Sequence, residues 1–182
     1  MAPLYKMLWA LLVLPMDPNP LHDPVYKRLQ RLYFLSAQNA SYFQAFEDTL
    51  QLLIRRYGPY PSLQMYRYGA LALKARYTSN LLEKKDYLYS AIASMDAQVK
   101  RTPNDLEVRF IRGSFYYYLP FFLGKRKAAQ EDVKAMVRLL QDQSATLKTL
   151  YDKEVLQAIV EFLAQTDWVE KEEIDKLRRL YT

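Results

Sequence analysis

Cysteine is absent from this chain of 182 residues, and histidine occurs once, as His22. Without a thiol there is no disulfide, iron–sulfur cluster, thiolate zinc site, cysteine nucleophile or lipidated cysteine of the bacterial lipoprotein kind. A serine–histidine–carboxylate arrangement could be built only around His22. That residue lies in a Pro-rich stretch, DPNPLHDP, and reads as a solvated loop residue. Glycine is scarce too, with 4 residues, which argues against a β-rich fold dense in tight turns. There is no Gly-rich phosphate loop, dinucleotide fingerprint or HExxH sequence. Glu170, Glu172, Glu173 and Asp175 point to different sides of one helix and complement its dipole rather than a metal. The inventory predicts no catalytic residue, no metal, no cofactor and no enzymatic activity.

Apolar residues make up 51% and charged residues 25%, as in a soluble globular chain. A chain of this length buries roughly 70% of the surface its unfolded form exposes, so a real core is possible. The formal net charge of +6 is spread among carboxylates and does not by itself indicate nucleic acid. Residues 1–16, MAPLYKMLWALLVLPM, place Lys6 ahead of an apolar run from Met7 to Leu14. The run is too short for a bilayer, which needs about 20 apolar residues. It has the outline of a signal peptide, without a small-x-small cleavage pattern near Met16. Two readings stay open: a signal peptide, or an apolar segment docking on the protein body or a membrane surface. The first predicts a periplasmic or otherwise exported protein, with a cytoplasmic one as the alternative. Residues 17–24 read as a Pro-rich linker and 25–182 as one all-α domain.

Apolar stripes at three- and four-residue spacing fill that domain. They run through Val25, Leu29, Leu32 and Tyr33, through Phe43, Phe46, Leu50, Leu53 and Tyr57, and through Tyr66, Gly69, Ala70, Leu73 and Tyr77. They continue through Leu88, Ile92, Met95 and Val99 and through Leu106, Phe110, Gly113 and Tyr117, with three more before the C-terminus. Expected caps are Ser62, then Asn104 or Asp105, and Thr166 or Asp167 for the last helix. No segment alternates long enough to be a strand. The prediction is an all-α chain of about eight helices, paired by short loops into antiparallel hairpins.

An offset of 44 residues puts Tyr66 on Phe110, Gly69 on Gly113, Leu73 on Tyr117 and Ile92 on Met136, but also Leu88 on Asp132 and Val99 on Gln143. Glycine in a helix interior costs about 1 kcal/mol relative to alanine, which predicts a close approach by a neighbouring helix at both sites. With Gly mid-helix, flanking aromatics, Ala91 in the partner helix and a Pro-Asn turn, Tyr66–Asn104 resembles a tetratricopeptide unit. It lacks that motif's usual Trp, and its turn, TSNLLEKKD, is longer. The run PNDLEVRFIRGSFYYYLPFFLG, with Asn104, Glu107, Arg109, Phe110 and Arg112, resembles a group of small exported bacterial tetratricopeptide-like proteins. That resemblance implies export and a helical-repeat fold, stacked as a short right-handed superhelix or as a compact α-α bundle. It implies no activity.

Arg109 and Arg112, three residues apart, put two guanidinium groups on one side of a helix. They predict either an ion pair with Asp132 or Glu131 that fixes helix docking, or a grip on a bound carboxylate or phosphate. Tyr116, Tyr117 and Tyr118 are consecutive, so they point about 100° apart and cannot all be core. The residues expected to line a partner-binding groove are Tyr66, Arg67, Arg109, Arg112, Tyr116 and Phe121, between helices beginning near Ser62 and Asp105. The function this predicts is holding another protein or peptide in the cell envelope. Permanent membership of a larger envelope complex and an RNA-binding adaptor are the alternatives, nucleic acid being the less favoured partner, with membrane contact possible through residues 1–16.

Overall fold

The structure, a computed structural model, describes residues 19–182. The apolar segment of residues 1–16 lies outside the described residues. Among the described residues nine α-helices follow in order: α1 (Pro24–Gln38), α2 (Phe43–Tyr57), α3 (Pro61–Tyr77), α4 (Leu81–Arg101), α5 (Leu106–Tyr117), α6 (Arg126–Asp142), α7 (Ser144–Leu150), α8 (Lys153–Gln165) and α9 (Lys171–Tyr181). No strand occurs among the described residues. The all-α expectation holds, and the added helix is α7. It buries only Leu147, and seven residues are too few to reveal a period.

Short connections make sequential helices antiparallel, and α1 with α2, α3 with α4, α5 with α6, and α8 with α9 pack as hairpins. The odd-numbered helices of the first three hairpins lie side by side, α1 against α3 and α3 against α5. Hydrogen bonds fix their sense. Near their N-terminal ends the Tyr26 hydroxyl of α1 meets Ser62 Oγ of α3 at 2.5 Å, and near their C-terminal ends the Tyr77 hydroxyl donates to the Ser36 carbonyl. The connections after α1, α3 and α5 therefore share one end of the molecule.

Helix α5 is the centre of the stack. Val108 and Ile111 enter a core with Leu29, Phe46, Leu63, Met65 and Met95, while Leu106 and Phe110 enter a second core with Met136, Leu140, Ile159 and Leu177. A helix buried on opposite faces has no solvent side for its polar residues. Glu107 and Arg112 are accordingly buried, at 2% and 6% exposure.

Both mid-helix glycines are sites of close approach, to different partners. A Cβ on Gly69 would lie 2.7 Å from the Tyr33 ring of α1, whereas a Cβ on Gly113 would lie 2.9 Å from Asp132 Cβ of α6. The two aligned positions thus do different jobs, one admitting a ring from a neighbouring hairpin and the other the return helix of its own.

Several helix starts differ from the expectation. Asp105 does cap α5, accepting from the amides of Glu107 and Val108. Ser62 does not cap α3: Tyr60 is the cap and Pro61 occupies the first turn, where its fixed φ suits a helix start. The last helix starts after Glu170 rather than at Thr166 or Asp167, and Asp167 takes a positive φ of 54°. The turn between α3 and α4 is three residues long, because Asn80 caps Leu82 and Glu83 and starts α4 at Leu81. Upstream, Pro20–His22 form a short 3-10 turn with Leu21 buried and Asp23 capping α1.

Candidate functional site

The residues expected to share a groove divide among three places. Tyr66 is buried, and its hydroxyl donates to Glu107. Glu107 also accepts from the Tyr26 hydroxyl at 2.5 Å and from Gln30 Nε2 at 2.9 Å. This carboxyl joins α1, α3 and α5 with no cation bonded to it. Burial pushes Glu107 up to about 7, against the hydrogen bonds from Gln30, Tyr26 and Tyr66 that favour the carboxylate, with Asp105 adding repulsion. The Tyr26 and Tyr66 hydroxyls are in turn driven well above the usual tyrosine range, by burial first and the Glu107 charge second.

Arg109, Arg112 and Tyr116 belong to a second network, at the α4–α5–α6 junction. Arg112 forks onto Asp132, Nε to Oδ2 and Nη2 to Oδ1, both at 2.8 Å, and Arg109 Nη1 reaches Asp132 Oδ1 at 2.7 Å. The third nitrogen of Arg112 reaches Asp96 Oδ1 at 2.9 Å, where Tyr116 also donates at 2.8 Å, and Lys125 reaches Asp96 Oδ2 at 2.9 Å. Burial works against the charge of Asp96, yet the hydrogen bonds from Lys125 and Tyr116 and the charges of Lys125 and Arg112 hold its pKa below the usual range. Three cations face two carboxylates, all held within the chain. The arginine pair therefore docks α5 onto α6, which is the intramolecular alternative for it, and the acid is Asp132.

Arg67 is exposed on α3, away from both networks. Phe121 is 87% exposed, in the 3-10 turn Phe121–Leu123 between α5 and α6. Of the six expected residues, Tyr66, Arg112 and Tyr116 are thus interior, so the six do not form one surface. The tyrosine triplet divides as helix geometry requires: Tyr116 is buried, Tyr117 half-buried and Tyr118 70% exposed.

What the molecule does present is an apolar shelf at the turn end. Tyr116 bonds the Ile92 carbonyl and Asp96, so the last turn of α5 stands level with the middle of α4. Leu88 of α4 and Leu119 after α5 pack on the same small cluster of Ile92, Tyr116 and Ala129. From Leu88 the helix runs on for about 10 Å to Leu81, at 1.5 Å per residue. Leu81, Leu82 and Tyr89 are exposed there, as are Phe121 and Phe122, whose rings meet at 6.1 Å. Leu81 and Leu82 are not among the expected residues, because an exposed pair adds nothing to a buried stripe. The signal for them was Asn80 with Glu83 three residues on, a helix-start pattern.

At the opposite end a cavity of about 360 Å³ opens between the starts of α3 and α5, lined by Leu21, Tyr60, Pro103, Leu106, Leu147 and Tyr151 among others. Among the described residues, no helix is long and apolar enough to cross a membrane. No protein-family model, no curated protein sequence and no solved structure matches this chain.

Proposed function

We propose that this chain is a non-enzymatic scaffold of tetratricopeptide-like helical hairpins that holds another protein or peptide in the cell envelope. The observation that carries the reading is the exposure of Phe121 and Phe122, at 87% and 74%, on a turn braced by ion pairs and next to an uncovered stretch of α4. Large apolar side chains on a rigid support are what protein interfaces use as anchors. The buried polar groups support the same reading from the other side: Tyr66, Glu107, Arg112 and Asp132 spend their bonding capacity inside the chain. Export rests on the sequence alone, on the signal-like residues 1–16 and on the resemblance carried by residues 103–124.

A photo-crosslinking residue placed at Phe121 in cells tests this, with the same residue at exposed Lys153 as control. The expected result is one dominant protein adduct at position 121 and none at 153. Equal, diffuse labelling at both positions contradicts the reading. The same apolar exposure favours a second reading, a permanent subunit of an envelope assembly. Native size decides between them: a permanent subunit never runs as the free 21.5 kDa chain.

A further inference from the structure

We infer that the shelf receives an acidic amphipathic helix of a partner protein, laid along α4 and end to end with α5. The inference rests on the scaffold reading and names the partner's chemistry. Leu81, Lys85, Leu88, Ile92 and Val99 recur at three, four and seven residues, so they share one face of α4. The lower part of that face already holds a helix. Val99 packs in the core with Val108 and Ile111 of α5, and Ile92 packs with Tyr116. Helix α5 has 12 residues and α4 has 21, so α5 stops while the face continues. What remains open is the first two turns of α4, with Leu81 and Lys85 exposed, at the same end of the molecule as exposed Phe121 and Phe122.

Charge selects the occupant. The α5–α6 connection carries Lys125, Arg126 and Lys127 in succession, and no carboxylate occurs between Glu107 and Glu131. The first turns of α4 add Lys84 and Lys85 against Glu83 and Asp86. Lys125 is held by Asp96 and Arg126 lies over the Trp168 ring, which leaves Lys85 and Lys127 exposed at this end. An apolar stripe flanked by Asp or Glu complements this surface, in the helix-in-groove manner. A second copy of the chain would bring the same basic rim against itself.

Selection from a display library of randomised single-helix peptides against the full chain, with counter-selection against Phe121→Ser/Phe122→Ser, tests the inference. Both phenylalanines are exposed, so the variant should keep the parent melting temperature, which circular dichroism checks. Enriched peptides are expected to carry apolar residues at three- and four-residue spacing with Asp or Glu alongside. They should lose about tenfold or more in affinity to Lys85→Glu/Lys127→Glu, with binding weakened by salt. Enrichment of basic or non-amphipathic peptides, or no enrichment that depends on the two phenylalanines, overturns it. So does a concentration-dependent dimer that the serine variant makes monomeric, or binding of phosphatidylglycerol vesicles, without any peptide, that the same variant loses. If the selection fails while the Phe121 crosslinker still captures one defined protein, the scaffold reading stands and the acidic-helix inference falls alone.

Discussion

Arg112 meets Asp132 edge to edge, two guanidinium nitrogens on two carboxylate oxygens at 2.8 Å, and Asp132 is fully buried. Breaking a buried pair from one side strands the other charge, which costs about 3–5 kcal/mol. Arg112→Ala is expected to lower stability by about 3 kcal/mol, because Arg109 still reaches Asp132 and Asp96 keeps Lys125. For a chain of this size that is a fall of roughly 10 °C in melting temperature. Denaturant titration of the purified protein checks it, and an unchanged midpoint would remove the docking role.

Glu107 gives stability an unusual pH dependence. Its folded-state pKa of about 7 lies above the ordinary 4.5. Below pH 4.5 both states hold the proton and the group has no effect. Between 4.5 and 7 the folded state keeps a proton that the unfolded state has lost, so stability falls as pH rises. Above 7 both are ionised and the loss is complete, at roughly 3 kcal/mol from the size of the shift. Glu107→Gln retains an acceptor for Tyr66 and Gln30 and removes the charge. Urea midpoints at pH 5 and pH 8 should differ more for the parent than for the variant. Asp105, also raised by burial, titrates in both proteins, so the difference between them isolates Glu107.

Gly113 and Gly69 separate two kinds of close packing. At Gly113 an added methyl meets Asp132 Cβ at 2.9 Å, an atom next to the backbone of α6 and immobilised by two arginines. At Gly69 it meets the far end of the Tyr33 side chain, well away from the backbone of α1. Alanine gains about 1 kcal/mol of helix propensity at either site, against about 1–3 kcal/mol for overpacking. Gly113→Ala is expected to lose about 1–2 kcal/mol and Gly69→Ala to stay near neutral in the same titration. The reverse order would show that α6, not Tyr33, yields.

These sites mark how far the sequence could be read. Periodicity located the core helices because Leu29, Phe46, Leu73, Val133 and Ile159 are buried on one face each. The interaction surface was illegible by the same means, since Phe121 and Phe122 lie in a turn outside any helical period and Lys85 separates Leu81 from the apolar stripe of α4. Tyr66, Arg112 and Tyr116 looked like binding residues because Tyr and Arg serve interfaces and buried polar networks alike. Only the position of Glu107 and Asp132 decides between the two roles. The 44-residue offset found both glycines, but not that they admit different neighbours, because alignment records residue type and not what lies across the gap.

The first turn of α4 is held by its caps rather than by burial. Asn80 Oδ1 accepts from the Leu82 amide at 3.0 Å, and the Thr78 hydroxyl donates to Glu83 Oε2 at 2.9 Å, closing the turn from both sides. Leu81 and Leu82 are 78% and 75% exposed, so no burial opposes fraying once the cap is lost. Removing such a cap costs about 1 kcal/mol. For Asn80→Ala the loss should be local: amide exchange at Leu82–Lys85 is expected to quicken about fivefold while the global melting temperature moves little, since the buried part of α4 begins only at Ala91. A global loss of several degrees with uniform exchange would mean that α4 unfolds as one unit with the core. In the local case, the same variant should weaken any ligand of the shelf without touching Phe121 or Phe122, because Leu81 and Lys85 keep their places only while the first turn is wound.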